Sequence, residues 1–313
     1  MKKFLISVFT LFTTISLFAG SNDINMNEDY YTQIIIEALK GDVDGFKDQA
    51  TKEMQSYFDD LSNQLGFGMS YHNSSPAQNL KFGILPTLEA GIDFAILQVD
   101  TSDKMWSYVM PKDDTPAVFV IPRLHINMSL PFDFELSFAG AMVPTTNIYL
   151  IGGALKWSIV GTNDSFFNLA LAGNFTKLLG IDEVSMLSYG GNISTSLDFK
   201  VLVPYLGAGI VKIHSSATVP NFTGKIIDDI SDDKLQVPNM TPDEVRQKIK
   251  EQFDDGKPFV ELKDFDEIKP NFFFGTRFDL WLLTFNAEVA FSYDFERSEY
   301  INTIYSLRAN MSF

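Results

Sequence analysis

Alternation of apolar and polar residues through the C-terminal part of this chain constrains its fold more than any other feature. From Leu283 to Phe295 the odd positions are apolar and the even positions mostly polar, and the alternation returns from Ile301 to Phe313. Such alternation is typical of a β-strand with one apolar face, and both runs exceed the usual soluble strand of about five or six residues. The short interval between the runs predicts an antiparallel hairpin.

The same alternation recurs upstream. The segments that carry it are 88–96, 118–130, 132–142, 149–159, 167–176, 187–199 and 272–280, and residues 202–213 are strand-like but apolar on both faces. Residues 66–72 could supply a further strand. The sequence therefore predicts an all-β fold of 10–12 antiparallel strands.

The chemistry of the two strand faces indicates what surrounds them. On a soluble β-sandwich the polar face meets water, and Lys, Glu and Thr would dominate it. Here that face is often Ser, Asn, Gly or Ala, whereas the other is rich in Phe, Leu and Ile without charge. Small polar residues suit a crowded lumen and an apolar face suits lipid. We therefore predict a transmembrane, antiparallel, up-and-down β-barrel over residues 66–313, with a secreted soluble β-fold as the alternative.

Composition removes several other classes. With 24 Lys and Arg against 40 Asp and Glu, the formal net charge of −16 disfavours nucleic acid as a partner, since phosphate binding needs clustered bases. The absence of cysteine excludes disulfides, thiolate metal sites, a cysteine nucleophile and a lipoprotein anchor. At the N-terminus, Lys2 and Lys3 precede an apolar run that ends at the small pair Ala19-Gly20. This pattern is typical of a secretory signal peptide, here over residues 1–20.

The intervals between strands predict the orientation of the barrel. Bacterial outer-membrane barrels have short periplasmic turns and longer outer loops. Counting back from a periplasmic Phe313, every second interval is tight, and the intervening ones include the two longest, 97–116 and 215–270. In the second, the run from Thr241 to Glu244 predicts a helix start with a capping box. Asp pairs in this loop could form a divalent-cation site, although a solvated acidic loop is the simpler interpretation.

The closing segment resembles the C-terminal assembly signal of Gram-negative outer-membrane β-barrels, an alternating last strand that ends in Phe. The resemblance rests on Tyr305, Leu307, Met311 and Phe313. It implies a location in the bacterial outer membrane, with membrane lipid and the barrel-insertion machinery as partners. The layout of a helix followed by a barrel is also similar to uncharacterised outer-membrane proteins and, more loosely, to transporters of long-chain fatty acids and other hydrophobic compounds.

One amphipathic segment precedes the strands. Between residues 30 and 65, apolar residues recur at steps of three or four, from Ile35 and Leu39 to Leu61 and Leu65. This spacing predicts a helix with one apolar face. Because the helix comes before the barrel, residues 21–65 could plug the lumen or pack as a periplasmic segment at the barrel mouth. Both interpretations stay open at this point.

Charged residues on the polar strand faces are the candidate lumen residues. They are Glu89, Asp93, Arg123, His125, Asp133, Glu135, Lys156, Asp198, Arg277, Asp279, Glu288, Asp294 and Arg308. Acids outnumber bases among them, so an open pore would mildly prefer cations. A barrel of ten strands is narrow, which disfavours a wide general porin. We therefore predict a gated channel or transporter for small or apolar solutes. The alternative is a non-transport structural or surface-binding barrel that acts through its outer loops.

The sequence predicts no enzyme, no cofactor and no metal site. Its three histidines are His72, His125 and His214. His125 and Ser129 share a strand face, but four residues of strand span about 13 Å, too far for a hydrogen bond. No Gly-x-Ser-x-Gly elbow and no paired-histidine zinc spacing occurs. We interpret His125 as part of a polar network in the lumen.

Overall fold

The structure is a computed structural model that describes residues 43–98, 118–142, 148–161, 165–180, 184–218, 241, 243–245, 247, 260–293 and 301–313. Within these ranges, one long helix precedes a closed antiparallel barrel of ten strands. The predicted fold class is confirmed, and the strand number is the lower end of the predicted range. The predicted signal peptide lies outside the described residues. No helix in the described part of the chain combines the length and apolar composition needed to cross a membrane.

The wall of the barrel follows the order of the sequence. The helix is α1 (Val43–Gly68), and the strands are β1 (Leu88–Gln98), β2 (Val118–Leu130), β3 (Phe134–Met142), β4 (Tyr149–Val160), β5 (Phe167–Leu179), β6 (Val184–Leu197), β7 (Leu202–Ala217), β8 (Phe265–Leu280), β9 (Leu283–Tyr293) and β10 (Ile301–Ser312). Each strand pairs with the next, and β1 closes the barrel against β10. Closure leaves no free strand edge, which a sheet in lipid requires.

Side chains alternate between the two surfaces of the wall. On β10, Leu307 is 53% exposed and the next residue, Arg308, only 2%. Large exposed apolar side chains occur on the outer face of every strand. Tyr305 and Phe313 of the predicted assembly signal lie on this face with Leu307, and Met311 is half-buried there. In water such a surface would be an aggregation site, whereas in a bilayer it is the required lipid contact.

The two ends of the barrel differ in the length of their connections. At one end, here called the short-turn end, only a few residues of chain separate β2 from β3, β4 from β5, β6 from β7 and β8 from β9. Positive φ angles at Phe132, Lys200 and Trp281 reverse the chain in three of these connections. Phe313 shares this end, since its backbone exchanges hydrogen bonds with Leu88 at the start of β1.

The opposite end, here called the long-loop end, carries the two loops predicted at 97–116 and 215–270. The strands extend slightly into these ranges, because β1 ends at Gln98, β7 at Ala217, and β8 begins at Phe265. Most of both loops lies outside the described residues. The Asp pairs that could bind a divalent cation are among the residues left undescribed.

The predicted capping box in the second loop is present. The Thr241 backbone N–H donates to Glu244 Oε2 at 2.7 Å, and the Glu244 N–H donates to Thr241 Oγ1 at 3.4 Å. The Thr241 backbone N–H and the Thr241 hydroxyl, which also donates to Oε2 at 2.9 Å, lower the pKa of the Glu244 carboxyl because they stabilise its charged form. Val245, next in this short helical turn, is 1% exposed. The loop therefore contributes at least one apolar side chain to the packing at the long-loop end.

Residues 66–72, which the sequence offered as a further strand, form no strand. Gly66 and Gly68 complete α1 instead. A Cβ atom on Gly66 would lie 2.5 Å from the Ile213 side chain, and one on Gly68 would lie 2.3 Å from Leu97. The two glycines therefore let the end of the helix approach the inner wall of the barrel.

Candidate functional site

The interior of the barrel is occupied by the chain that leads into β1. Residues 69–80, here called the lumen segment, lie inside the barrel together with the C-terminal half of α1. Almost all of these residues are buried. Phe67 and Ala77 are 0% exposed and Tyr71 2%. The lumen segment belongs to no strand. Its buried backbone groups therefore need partners on the wall, and those partners define the candidate site.

Near the long-loop end the filling is apolar. Phe58, Leu61 and Leu65 of α1 form one cluster with inward-facing side chains of the wall. The wall contributes Leu97, Phe119, Ile121, Leu150, Leu178, Met186, Ile213 and Ile304, among others. We call this half of the lumen the apolar tier. Each fully buried Leu or Phe contributes about 1.5–3 kcal/mol, so α1 is held there mainly by the hydrophobic effect.

Towards the short-turn end the filling is polar, and we call this half of the lumen the polar tier. Its main anchor is Lys156 of β4. The Lys156 ammonium donates to Ser75 Oγ at 3.0 Å and to the carbonyl oxygens of Pro76 and Gln78 at 3.0 and 3.2 Å. It also lies 3.1 Å from a carboxylate oxygen of Glu135 on β3. One buried cation of the wall therefore binds three residues of the lumen segment.

Glu135 completes this attachment. The Leu80 backbone N–H donates to Glu135 Oε2 at 3.0 Å, and the Asn73 side chain donates to Oε1 at 3.2 Å. The pairing of β3 with β4 places Glu135 directly opposite Lys156. The carboxylate thus neutralises the lysine and accepts hydrogen bonds from two points of the lumen segment, so neither charge is buried alone.

A second charged group, here called the Asp93 cluster, joins β10, β1 and β2. Asp93 lies opposite Arg308 on one side and Arg123 on the other. Asp93 Oδ2 is 2.9 Å from Arg123 Nη2 and 3.7 Å from Arg308 Nη2, and these side chains are at most 4% exposed. Arg308 donates to the Asn73 side chain at 3.0 Å, and Arg123 to the Ser70 carbonyl at 3.3 Å. The cluster therefore binds the lumen segment as well as closing the wall.

Other side chains of the wall supply further hydrogen bonds. Asn174 donates to the Tyr71 carbonyl at 3.0 Å, and Asn286 to the Ser74 carbonyl at 2.6 Å. The Ser74 hydroxyl donates to Glu288 Oε1 at 3.0 Å. Wall side chains thus satisfy much of the segment's backbone, in the way that a pocket binds an extended peptide.

The predicted lumen residues divide by their position along the strands. Eight lie buried on the inner wall, namely Glu89, Asp93, Arg123, His125, Glu135, Lys156, Glu288 and Arg308. Arg277 and Asp279 face inward near the short-turn end, where Arg277 Nε lies 2.8 Å from Asp279 Oδ1 and the two side chains are 13% and 26% exposed. The pair therefore lies where solvent reaches the lumen.

One predicted lumen residue lies elsewhere, because Asp133 is exposed in the turn before β3, which begins at Phe134. Alternation assigned it to the lumen because it does not mark where a strand ends. Asp198 directly follows the end of β6 at Leu197, and its half-buried carboxylate lies beside the Gln78 side chain of the lumen segment. Asp294 falls outside the described residues.

A contact between a serine and a histidine was not predicted from the sequence. Ser70 Oγ lies 2.8 Å from His72 Nε2 and 2.6 Å from the Phe67 carbonyl oxygen, to which it donates. Because the single hydroxyl proton goes to the carbonyl, the imidazole N–H donates to Ser70, and His72 is not oriented as a general base. The absence of enzymatic activity stays a prediction.

Closed antiparallel pairing, an apolar exterior, a polar inner wall and the separation of short turns from long loops define the class of this protein. It is a transmembrane β-barrel of the outer-membrane type. No protein-family model matches the sequence, and no curated protein matches it either.

Solved structures of outer-membrane barrels are similar to this chain. The N-terminal β-barrel domain of Pseudomonas aeruginosa OprF is 12% identical with a TM-score of 0.31, and the match covers 72% of this chain and 97% of that domain. Neisserial surface protein A is 10% identical with a TM-score of 0.29, covering 73% and 97%. Outer membrane phospholipase A from Escherichia coli is 7% identical with a TM-score of 0.32, covering 80% and 98%. Likeness at this level concerns fold class and does not establish the predicted similarity to transporters of hydrophobic compounds.

Proposed function

We propose that this chain is a gated outer-membrane channel or transporter for small or apolar solutes, closed by α1 and the lumen segment. The observation that carries the proposal is that the lumen is filled by a separate length of chain, bound to the wall by side chains. A narrow barrel with a purely structural role could fill its interior with the side chains of its own wall. A bound peptide can leave, whereas packed wall side chains cannot.

The apolar tier supports a solute with an apolar part. Leu97, Ile121 and Ile213 would line an open chamber at the long-loop end if α1 withdrew. Buried apolar pockets with a few polar groups beyond them are the usual form of a small-molecule site. The chamber leads directly to the polar tier, where the solute would replace the contacts of the lumen segment.

The polar tier supports a hydrated path below that chamber. After release of the lumen segment, Lys156 would keep Glu135 as a partner and Arg123 would keep Asp93. Because these bases stay paired, we expect only the mild cation preference predicted from the sequence, and Glu288 and Glu89 would supply it.

Planar-bilayer conductance tests the proposal. We expect the refolded chain lacking the signal peptide to be closed or to open rarely, and a variant that also lacks residues 21–80 to show frequent conductance steps. In that variant, Glu288→Lys should shift the preference towards anions. Silence of a deletion variant that is demonstrably folded would overturn the channel and favour the non-transport alternative.

A disulfide provides a test that does not depend on the deletion variant folding. Asn73 Nδ2 donates to Ser137 Oγ at 2.9 Å, so paired cysteines at these positions would tie the lumen segment to β3. The chain has no other cysteine to compete. We expect the oxidised Asn73→Cys/Ser137→Cys variant to show no openings and the reduced form to recover those of the parent chain. Openings as frequent in the oxidised form as in the reduced form would show that the lumen segment is not the gate.

A further inference from the structure

We propose that the barrel threads its own N-terminal segment through the membrane and holds α1 at the cell surface. The sequence left two positions open for this helix, the lumen and the periplasmic mouth. The contacts place its C-terminal half in the lumen and direct the rest towards the opposite mouth, at the long-loop end. The inference concerns topology and does not depend on whether the lumen segment opens.

Contacts of α1 place it at the long-loop end. Asn302, at the start of β10, donates through its side chain to the Asn63 carbonyl at 3.2 Å. Higher on the helix, the Gln55 side chain donates to the Lys263 carbonyl at 3.1 Å and accepts from the Lys263 N–H at 2.7 Å. Lys263 lies just before β8, at the end of the 215–270 loop. The helix thus rises from the lumen into the mouth formed by the long loops.

The other end of the same segment lies at the short-turn end. The Thr87 N–H donates to Ser129 Oγ at 2.7 Å, close to the end of β2. The Asn79 side chain donates to the carbonyl of Asp133, in the β2–β3 turn. Leu88, the residue after Thr87, begins β1 beside the C-terminal Phe313. Residues 69–87 therefore run the whole length of the lumen.

The orientation of the barrel converts this path into a crossing of the membrane. Short turns of outer-membrane barrels face the periplasm and long loops face outward. An eleven-residue strand such as β1 rises about 37 Å, comparable with the apolar thickness once strand tilt is included. A segment whose two ends contact opposite rims of such a wall has its own ends on opposite sides of the membrane. Lys52 and Ser56, exposed on α1, would then face the outside.

Cysteine labelling tests the topology, since the chain has no native cysteine. Ser56→Cys on α1 and Ile84→Cys below the lumen segment are exposed positions of one continuous segment. Asp243→Cys in the long loop is the reference for the outer face. Cells carrying each full-length variant are treated with a membrane-impermeant maleimide, before and after permeabilisation of the outer membrane.

We expect Ser56→Cys and Asp243→Cys to label fully in intact cells, with no gain on permeabilisation. Ile84→Cys should show no labelling until the membrane is permeabilised. Labelling of Ser56→Cys only after permeabilisation, while Asp243→Cys labels in intact cells, would overturn the proposal and place α1 in the periplasm. Labelling of Ile84→Cys in intact cells would overturn it equally, because both ends of the segment would then lie outside.

Discussion

Replacing Asp93 with alanine is expected to lower the free energy of unfolding by about 3–5 kcal/mol, because it leaves Arg123 and Arg308 buried without their shared carboxylate. Both guanidinium groups are at most 4% exposed. They cannot regain hydration while the lumen segment, which contacts both of them, stays in the barrel. Urea unfolding of the protein refolded in lipid vesicles, followed by tryptophan fluorescence, measures this loss.

The matched control is Asp279→Ala, which breaks a pair of the same chemistry at the short-turn end. Arg277 and Asp279 have side chains 13% and 26% exposed, so water can solvate the arginine that remains. We expect this variant to lose no more than about 1 kcal/mol. Equal losses in the two alanine variants would mean that the Asp93 cluster is hydrated, contrary to its burial.

Replacing Lys156 with methionine is expected to detach the lumen segment from the wall at a cost of about 3–5 kcal/mol, since Glu135 then becomes a buried charge without its cation. The change also removes the donor to Ser75, Pro76 and Gln78. We expect amides of residues 73–80 to lose protection in hydrogen exchange, whereas amides paired between distant strands keep theirs. Exchange resolved by peptide measures both in one experiment.

Two further variants separate the effect of the buried charge from the effect of lost packing. Lys156→Met combined with Glu135→Gln removes both charges, and we expect it to recover most of the stability lost in the single variant, although not the protection of residues 73–80. Lys177→Met changes an exposed lysine on the outward face of β5 and should alter neither quantity. If the double variant were as unstable as the single one, the effect would come from lost packing rather than from the buried charge.

The barrel could be predicted because alternation is a local property of the chain. The side chains of β9 and β10 that face outward and those that face inward can be read from the sequence, except that the apolar Ile304 faces inward. The short turns lie where the alternation stops. The ends of strands were less well predicted, which is why Asp133 was wrongly assigned to the lumen. Asp133 does not break the alternation, although the backbone has already turned there.

The filling of the lumen could not be predicted to the same degree. The apolar spacing from Leu61 back to Ile35 predicted a helix, but a helix with one apolar face can pack on any apolar surface. Its partners Leu97 and Ile121 face inward on strands whose inner face was expected to be polar, and Ile213 belongs to the segment that is apolar on both faces. Gly66 and Gly68, in the segment that the sequence offered as a further strand, are instead the positions where the helix approaches that wall most closely.

The sequence by itself determined the class of this protein, since a strand with one apolar face must turn that face to lipid or to a core. Only the tertiary structure decided what the barrel contains and which charges meet inside it. Asp93 and Arg308 are far apart in the chain and become partners through the closure of β1 on β10. Likewise, Lys156 meets Pro76 only because α1 and the lumen segment enter the barrel. Such contacts depend on strand register and on a competition between packing surfaces, and neither is encoded in local alternation.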